Sequence, residues 1–387
     1  MSSPLTLVRS WGRVGAPAHH VETPNTIAQA RAALARSGTW LAHGMGRSYG
    51  DVALNAGGTL ISTRALDRFV AFDRDNGILE AEAGVTLEEV IRIALPHGWF
   101  LPTTPGTKYV SLGGAVANDV HGKNHHRAGT FGCWVHSIEL ARSDGSLQVC
   151  RPDANTEMFS ATIGGLGMTG LITRVTLQLV RVPGAFLDSE DLAFANLEEF
   201  FDLAARSDAG GWEHTVAWMD CAGASAGRGI LSRANWSDDC DRKAQLDGFK
   251  PRMPLDAPVL LLNRFSVRAF NEVYFRLKAA RAKRTHIHFN ACFYPLDGIL
   301  DWNRLYGRPG LYQYQCVVPR SAQKEALAEL LGEIAKSGQA SFLAVIKQFG
   351  ERGSPGLLSF PMPGTHIALD FPNRGAATKA LFERLDS

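Results

Sequence analysis

The sequence lacks long apolar runs, clustered cysteines and a strong net charge. No window approaches the roughly 18 apolar residues of a membrane span, and the N-terminus has no apolar stretch of signal-peptide length. The six cysteines are scattered without a Cys-x-x-Cys pair, which argues against a zinc ribbon, a redox dithiol or a disulfide framework. A formal net charge of +2 gives no reason to expect a nucleic-acid partner. Together these absences predict a cytoplasmic protein.

What remains is the composition of an ordinary globular chain, long enough at 387 residues for two domains. Glycine-rich loops stop near Val182-Pro183-Gly184, so we predict one domain over 1–183 and a second over 184–387. In the second, we expect an irregular loop over 223–260. Its periodic segments predict helices at about 196–206 and 321–337, and strands near 213–220, 285–294, 311–318, 341–347 and 365–371. This interleaving predicts an α+β fold with a mainly antiparallel sheet.

Local signals in the first half are stronger. Thr86 with Glu89 three residues later forms a capping box, which predicts a helix over 86–95. Two further helices are expected over 26–37 and 156–162. Strands are expected at 40–42, at 59–62, on both sides of the Asp75-Asn76-Gly77 turn, at 135–140 and 147–150, and at 171–180.

Two glycine-rich loops indicate a bound ligand. The loop 43–51 has glycines at 44, 46 and 50 and leads into another strand. It therefore lacks both the G-x-G-x-x-G spacing and the following helix of a Rossmann motif. A nest of backbone N–H groups holding an anion fits better, with Arg47 and Ser48 as added donors.

The second loop lies within 101–124, where small residues crowd around Gly113 and Gly114. Such a backbone can lie against a ligand and point its N–H groups at it. Polar side chains that suit a reactive centre follow directly, from Asn118 to His126. A plain surface loop remains the alternative.

These motifs resemble the decaprenylphosphoryl-ribose 2′-oxidase family of vanillyl-alcohol-oxidase (PCMH-type) flavoproteins. The similar segments run in the same order along nearly the whole chain. They are Gly-Met-Gly-Arg-Ser-Tyr-Gly-Asp (44–51), Pro-Gly-Thr (105–107), Gly-Gly-Ala (113–115), Val-His-Gly-Lys-Asn-His-His (120–126), Tyr-Pro-Leu-Asp (294–297), Trp-Asn-Arg-Leu-Tyr-Gly (302–307), Gln-Tyr-Gln (313–315) and Ser-Phe-Pro-Met-Pro-Gly (359–364).

The resemblance implies an FAD-dependent oxidoreductase that oxidises the 2′-hydroxyl of a lipid-linked ribose by hydride transfer to flavin N5. A short-chain reductase partner would complete the epimerisation to arabinose for bacterial cell-wall polysaccharide. It implies FAD contacts at His43, Gly44, Met45, Gly46, Arg47, Ser48, Tyr49, Gly50, Asp51, Pro105, Gly106, Thr107, Ser111, Leu112, Gly113, Gly114, Asn118, Asp119, His121, Gly122, Asn124 and Ile172. It implies substrate contacts at Lys123, Phe293, Tyr294, Gln313, Gln315, Lys347 and His366.

Three departures from the family pattern carry expectations. Relatives with covalent FAD have a histidine where this chain has Arg47, so non-covalent FAD is expected. His366 and Ala368 replace an asparagine and a cysteine of the substrate-facing strand, and Phe293 replaces a pocket tyrosine, so substrate shape is open. The family continues for several tens of residues beyond position 387, and we expect the C-terminal return to the FAD domain, with its lysine, to be missing.

Alcohol oxidation needs a proton acceptor and, for a phosphorylated substrate, a positive charge. His121 or Lys347 could take the proton, and Lys347, placed at the end of a predicted strand, could grip a phosphate or the reduced flavin. Gln313 and Gln315, two apart on a predicted strand, would face the same way, although alternating polar residues are more often exposed.

Other interpretations stay open at this level. The His121, His125 and His126 cluster could bind a metal, but lacks carboxylates at ligand spacing beyond Asp119, so no metal site is expected. Lys123 could be a solvated charge, and Tyr49 and Phe293 could simply pack. The alternative functions are an aldonolactone or alditol oxidase and a non-catalytic truncated relative that serves as a binding subunit. A lipid-linked substrate would require peripheral contact with a membrane, to which residues 228–270 could contribute.

Overall fold

The computed structural model describes residues 4–36, 38–222, 226–246, 248–258, 261–280, 284–339 and 341–387. Its strands are β1 (Leu5–Leu7), β2 (Ala18–Glu22), β3 (Trp40–His43), β4 (Thr59–Ser62), β5 (Phe69–Asp73), β6 (Ile78–Glu82), β7 (Trp99–Phe100), β8 (Val135–Ala141), β9 (Leu147–Cys150), β10 (Leu171–Gln178), β11 (Val180–Arg181), β12 (Phe186–Phe194), β13 (His214–Met219), β14 (Gly229–Trp236), β15 (Arg284–His288), β16 (Leu311–Pro319), β17 (Ala344–Phe349) and β18 (Gly364–Pro372). Its helices are α1 (Ile27–Arg36), α2 (Leu87–Ala94), α3 (Leu112–Ala117), α4 (His125–Ala128), α5 (Thr156–Thr162), α6 (Leu197–Ala209), α7 (Arg264–Ala280), α8 (Phe289–Phe293), α9 (Gln323–Ser337) and α10 (Ala376–Asp386).

The first half contains two larger sheets. One has the order β1-β2-β4-β3, with β2, β4 and β3 parallel, and α1 buries Ala30, Ala33 and Leu34 beside it. The other is antiparallel, in the order β5-β6-β10-β8-β9. Its core includes the buried faces of α2 and α3. The Thr86 capping box predicted from the sequence is present, with Thr86 Oγ1 accepting from Glu89 N.

The second half is built on one antiparallel seven-stranded sheet, in the order β15-β12-β14-β13-β17-β18-β16. Alternate residues of its strands, such as Ile346, Ile367 and Leu369, pack against apolar side chains of α6, α9 and α10. Since strand side chains alternate between faces, the intervening residues lie on the opposite face. That face meets the first half of the chain, where the ring of His121 contacts the ring of His366.

Several sequence predictions need correction. The described part of the 223–260 segment is not wholly irregular, because it contains β14, which pairs with β12 on one side and β13 on the other. The strand predicted at 285–294 ends at His288, where His288 caps α8 by accepting from Asn290 N. Lys347 lies inside β17 rather than at its end. The sequence patterns did not predict β12, α7 or α10.

No described helix combines the length and the apolar character required to cross a membrane.

Candidate functional site

The register of β16, β17 and β18 brings four predicted residues together. His366 pairs with Lys347 on one side, and the neighbouring pairs are Gln315 with Ala368 and Gln313 with Asp370. Directly paired residues share a face of the sheet, as do residues two apart. Gln313, Gln315, Lys347 and His366 therefore lie on one face, as the spacing predicted for the two glutamines.

Imidazole rings of the first half and phenylalanine rings of the second half form a cluster on this face. The His121 ring centroid lies 5.0 Å from that of His366, 4.9 Å from Phe349 and 5.6 Å from Phe360. His125 stacks on Phe349 with centroids 3.9 Å apart. No ring nitrogen of His121 has a hydrogen-bond partner among the described residues. That imidazole is therefore free to bind a ligand.

The buried imidazoles of this cluster are neutral. Burial, reinforced by the charge of Lys347, lowers the pKa of His121 and His366 well below the usual value and that of His125 to about 4. Each ring therefore has an unprotonated nitrogen at neutral pH. Among the described residues, no group of three or more His, Cys, Asp or Glu side chains is arranged to hold a metal ion.

Lys347 is the positive group of the site. Burial, with Lys123 nearby, lowers the pKa of its amine to about 7. Within the part of the chain that the structure describes, its Nζ has no hydrogen-bond acceptor and no carboxylate partner, only the Phe349 ring with its centroid 5.8 Å away. A buried cation without a counter-ion is costly, and an anionic ligand would remove that cost.

A chain of side-chain hydrogen bonds runs along the sheet beside Lys347. His366 Nε2 lies 3.2 Å from Gln315 Oε1, Gln315 Nε2 donates to Gln313 Oε1, and Gln313 Nε2 donates to Asp370 Oδ1 over 2.7 Å. Burial raises the pKa of Asp370 to about 7, although the bond from Gln313 lowers it. The two glutamines thus orient each other and His366.

The loop after β3 has the backbone expected of an anion site. In the described structure, no backbone N–H from Gly44 to Asp51 donates a hydrogen bond. Gly46 has a φ of +63°, which a glycine adopts without strain. The Arg47 guanidinium lies over Trp11, 4.1 Å from the ring centroid, and has no hydrogen bond or ion pair to another described residue. Free N–H groups beside an unpaired arginine fit a pyrophosphate.

The second glycine cluster differs from its prediction. Its glycines were expected to point N–H groups at a ligand, but Leu112 N and Gly113 N donate to Val85 O and Ala83 O over 2.8 and 2.9 Å. Gly114 N donates to Ser111 Oγ over 3.2 Å. A Cβ on Gly113 would lie 2.8 Å from the Ala83 Cβ, so this glycine permits close packing. The second glycine cluster nevertheless packs closely against the first loop. A Cβ added to Gly44 of the first loop would lie only 2.5 Å from Ser111 Oγ.

Several other residues predicted at the site make hydrogen bonds within the protein or pack in its core. The Lys123 amine donates to Cys292 O. The Asn124 side chain bonds Thr103 Oγ1 and Pro102 O over 3.0 and 2.9 Å. Tyr294 Oη lies 2.7 Å from Thr104 Oγ1, and its ring is buried. Leu112, Ile172 and Phe293 are buried in the hydrophobic core. Their side chains position the loops, and direct ligand contact by them stays a prediction.

The remaining predicted positions line the first-half loops. His43 Nδ1 lies 2.9 Å from Ala53 O, and Ser48 O accepts from Trp11 N. Asn118 Nδ2 donates to Gly114 O over 2.8 Å. A Cβ on Gly122 would lie 2.5 Å from Thr103 Oγ1. Met45, Tyr49, Gly50, Pro105 and Thr107 are half-buried, whereas Asp51 and Gly106 are exposed.

Sequence reasoning missed Asp370, Phe349 and Phe360. Asp370 could have been found, because it lies four residues after His366 on a predicted strand and therefore on the same face. Phe349 lies two residues after Lys347 and could have been found in the same way. Phe360 precedes β18 in a loop, and no periodic signal places it.

Comparison with known proteins supports a flavin site. Residues 17–151 match the FAD binding domain family. The chain is 35% identical to the decaprenylphosphoryl-beta-D-ribose oxidase of Mycolicibacterium smegmatis, over 94% of this chain and 82% of the relative. It is 33% identical to an uncharacterised protein of Streptomyces coelicolor, over 78% of this chain and 85% of that one. Cytokinin dehydrogenase 4 of Arabidopsis thaliana is 29% identical over only 37% of this chain and 28% of its own length.

Proposed function

Since the chain belongs to the decaprenylphosphoryl-β-D-ribose oxidase family, we propose that it oxidises the 2′-hydroxyl of a polyprenylphosphoryl ribose to the 2′-keto form. The observation that carries this proposal is Lys347, a cation without a described partner beside neutral His121 and His366. A phosphate on Lys347 would place the attached sugar against the imidazoles.

The chain is an FAD-dependent oxidoreductase that acts on CH–OH groups. FAD supplies the two-electron acceptor. We propose that the unpaired N–H groups of residues 44–51 hold its pyrophosphate, with Arg47 as an added donor. No histidine stands at the Arg47 position, so the cofactor is bound without a covalent link.

The chain's own groups perform the remaining tasks. Lys347 binds the substrate phosphate, and His121 accepts the proton of the reacting hydroxyl through a free ring nitrogen. Phe349 and Phe360 pack edge-to-face against the His121 ring and fix its position. Gln313 and Gln315 hold the adjacent ring of His366 in place. The ketone that results is a substrate for a separate short-chain reductase, which would return it as the arabinose epimer.

We expect the purified protein to show flavin bands near ~450 nm that acid precipitation releases into the supernatant. Colour retained in the pellet would contradict the non-covalent site at Arg47. Anaerobic addition of a short-chain prenylphosphoryl ribose should then bleach the bands, whereas ribose without phosphate should not. Equal bleaching by free alditols or aldonolactones would instead support the alternative oxidase. A protein that gains no colour with added FAD would be a non-catalytic relative.

A lipid-linked substrate requires contact with a membrane surface, and we propose that α7 provides it. Phe270, Val273 and Leu277 follow helical spacing along one stripe and are 48%, 57% and 54% exposed. Exposed Arg264 and Arg268 lie on the same helix and suit anionic headgroups. The Phe270 ring contacts Phe342, which stacks on Tyr306, so this stripe lies near the substrate face of the sheet.

Replacing Phe270, Val273 and Leu277 together by serine should reduce partitioning onto anionic phosphatidylglycerol vesicles about 100-fold, because roughly 3 kcal/mol of apolar burial is lost. Vesicle sedimentation measures this. The matched control replaces Val70, Leu147 and Val149, which are 46%, 40% and 47% exposed on the antiparallel sheet of the first half, by serine. Equal partitioning of the two triple variants would exclude α7 as the membrane contact.

A further inference from the structure

His366 has a buried ring nitrogen that nothing in the described structure satisfies. The residue is 1% exposed, and its Nδ1 has no hydrogen-bond partner, whereas its Nε2 bonds Gln315. A buried polar atom without a partner is costly unless a function retains it. The substrate roles assigned above leave this atom unexplained.

The hydrogen-bond chain determines which nitrogen of His366 carries the proton. An ionised Asp370 can only accept, so Gln313 must turn its amide N–H₂ toward it and its oxygen toward Gln315. Gln315 then presents its oxygen to His366. The ring must donate from Nε2, which leaves a lone pair on Nδ1.

Of the described imidazoles, His121 has the ring that packs directly against His366, although no His121 nitrogen lies within hydrogen-bond distance of Nδ1 in this structure. Because Nδ1 is fully buried, the substrate cannot touch it directly. The His121 ring lies edge-to-face against His366, with centroids 5.0 Å apart and planes at 69°. We propose that His366 is the acceptor to which His121 passes the substrate's hydroxyl proton, and that the amide chain anchored on Asp370 sets the tautomer for this transfer.

This proton transfer rests on the proposed alcohol oxidation. The substrate O–H bond breaks, and its proton bonds to one nitrogen of His121. The N–H bond at the other His121 nitrogen breaks, and that proton bonds to His366 Nδ1, which gives an imidazolium. The electron pair left on the substrate oxygen forms the C=O bond as the carbinol hydrogen departs with its bonding pair, for which bound FAD would supply the acceptor. His121 thus ends neutral with its tautomer exchanged.

The charged groups around this pair give the step a pH dependence. Lys347 and His125 face His366, and Tyr49 and Tyr306 face Asp370. The pKa of about 7 at Asp370 means that it becomes protonated below neutral pH. A protonated Asp370 would donate to Gln313 and reverse every bond of the chain, so that Nδ1 of His366 would carry the hydrogen. Transfer from His121 should therefore fail as the pH falls below about 7.

The first test reads the tautomer and needs no substrate. ¹⁵N-histidine NMR of the FAD-loaded protein at pH 8, assigned with His366→Asn, should show His366 with an unprotonated Nδ1 and a protonated Nε2. Gln315→Leu should mix the two tautomers. Gln348→Leu, on the neighbouring strand and bonded instead to Thr365, should leave them unchanged. A protonated Nδ1 in the unmodified protein would overturn the proposal.

The second test is the rate of flavin reduction by a short-chain prenylphosphoryl ribose. His366→Phe, which keeps a ring without its nitrogens, should slow it on the order of 100-fold with FAD still bound. Asp370→Asn should remove the decline below pH 7. Unchanged rates in His366→Phe would overturn the relay. No reduction in the unmodified protein, with the predicted tautomer still seen by NMR, would count against the substrate and not against the assignment of His366.

Discussion

Replacement of Lys347 by methionine is expected to raise KM for the phosphorylated substrate on the order of 100-fold. The amine has no other described partner, so its removal deletes a charge-assisted bond of roughly 3 kcal/mol without orphaning a protein group. Methionine keeps the unbranched length of the side chain. Steady-state kinetics on the FAD-loaded variant measures the change, and FAD content should stay at that of the unmodified protein.

The comparison variant is Lys123→Met. Its amine is buried and donates to Cys292 O, so we expect a loss of stability rather than a selective rise in KM. A rise in KM confined to Lys123→Met would place the phosphate at Lys123 and refute our assignment.

The pKa of Lys347 also predicts that KM for the phosphorylated substrate rises at alkaline pH. Because its pKa is about 7, the positive charge is lost as the pH rises above neutrality, and KM should rise with it. Lys347→Arg keeps the positive charge at high pH and should remove this rise in KM. The same loss of charge has the opposite effect on the stability of the fold. Between pH 7 and 10.5 the unfolded chain binds more protons at this residue than the folded one, so stability should increase with pH.

Replacement of Asp119 by alanine is expected to lower the free energy of unfolding by about 3 kcal/mol. Its carboxylate is 2% exposed and accepts from Gly132 N, Ser354 Oγ and Ser359 Oγ over 2.8, 2.5 and 2.6 Å. Alanine would leave these donors without their acceptor. It would also add strain at a φ of +41°, which aspartate and asparagine tolerate better.

Denaturant unfolding measures this loss, and Asp119→Asn should lose less than half as much. Asp153→Ala, at an exposed position, is the matched control and should change stability by less than about 0.5 kcal/mol. If Asp119→Ala instead unfolds like the unmodified apoprotein but no longer binds FAD, the residue contacts the cofactor, as the resemblance implied.

The glycine loops show how far sequence reasoning reaches into the site. The sequence predicted no helix after the first loop, and the described structure has none there. The N–H groups of this loop are unpaired among the described residues, and the anion that they would hold stays a prediction. The second loop misled us, because a run of small residues fits both a ligand cradle and close packing. Only the position of Ala83 and Val85 against α3 decides that its first N–H groups are used internally.

By itself the sequence determined the local features of this protein: the turn at Asn76-Gly77, the capping box at Thr86, the alternating strands and the absence of a Rossmann motif. These depend on interactions between residues a few positions apart, so the pattern contains their cause. The tertiary structure decided which groups meet. Lys347, His366 and Gln315 become neighbours through the register of an antiparallel sheet, and His121 reaches them from a loop more than 190 residues earlier. Such contacts, and the burial that sets the protonation of each group, depend on packing between distant segments, which local pattern does not specify.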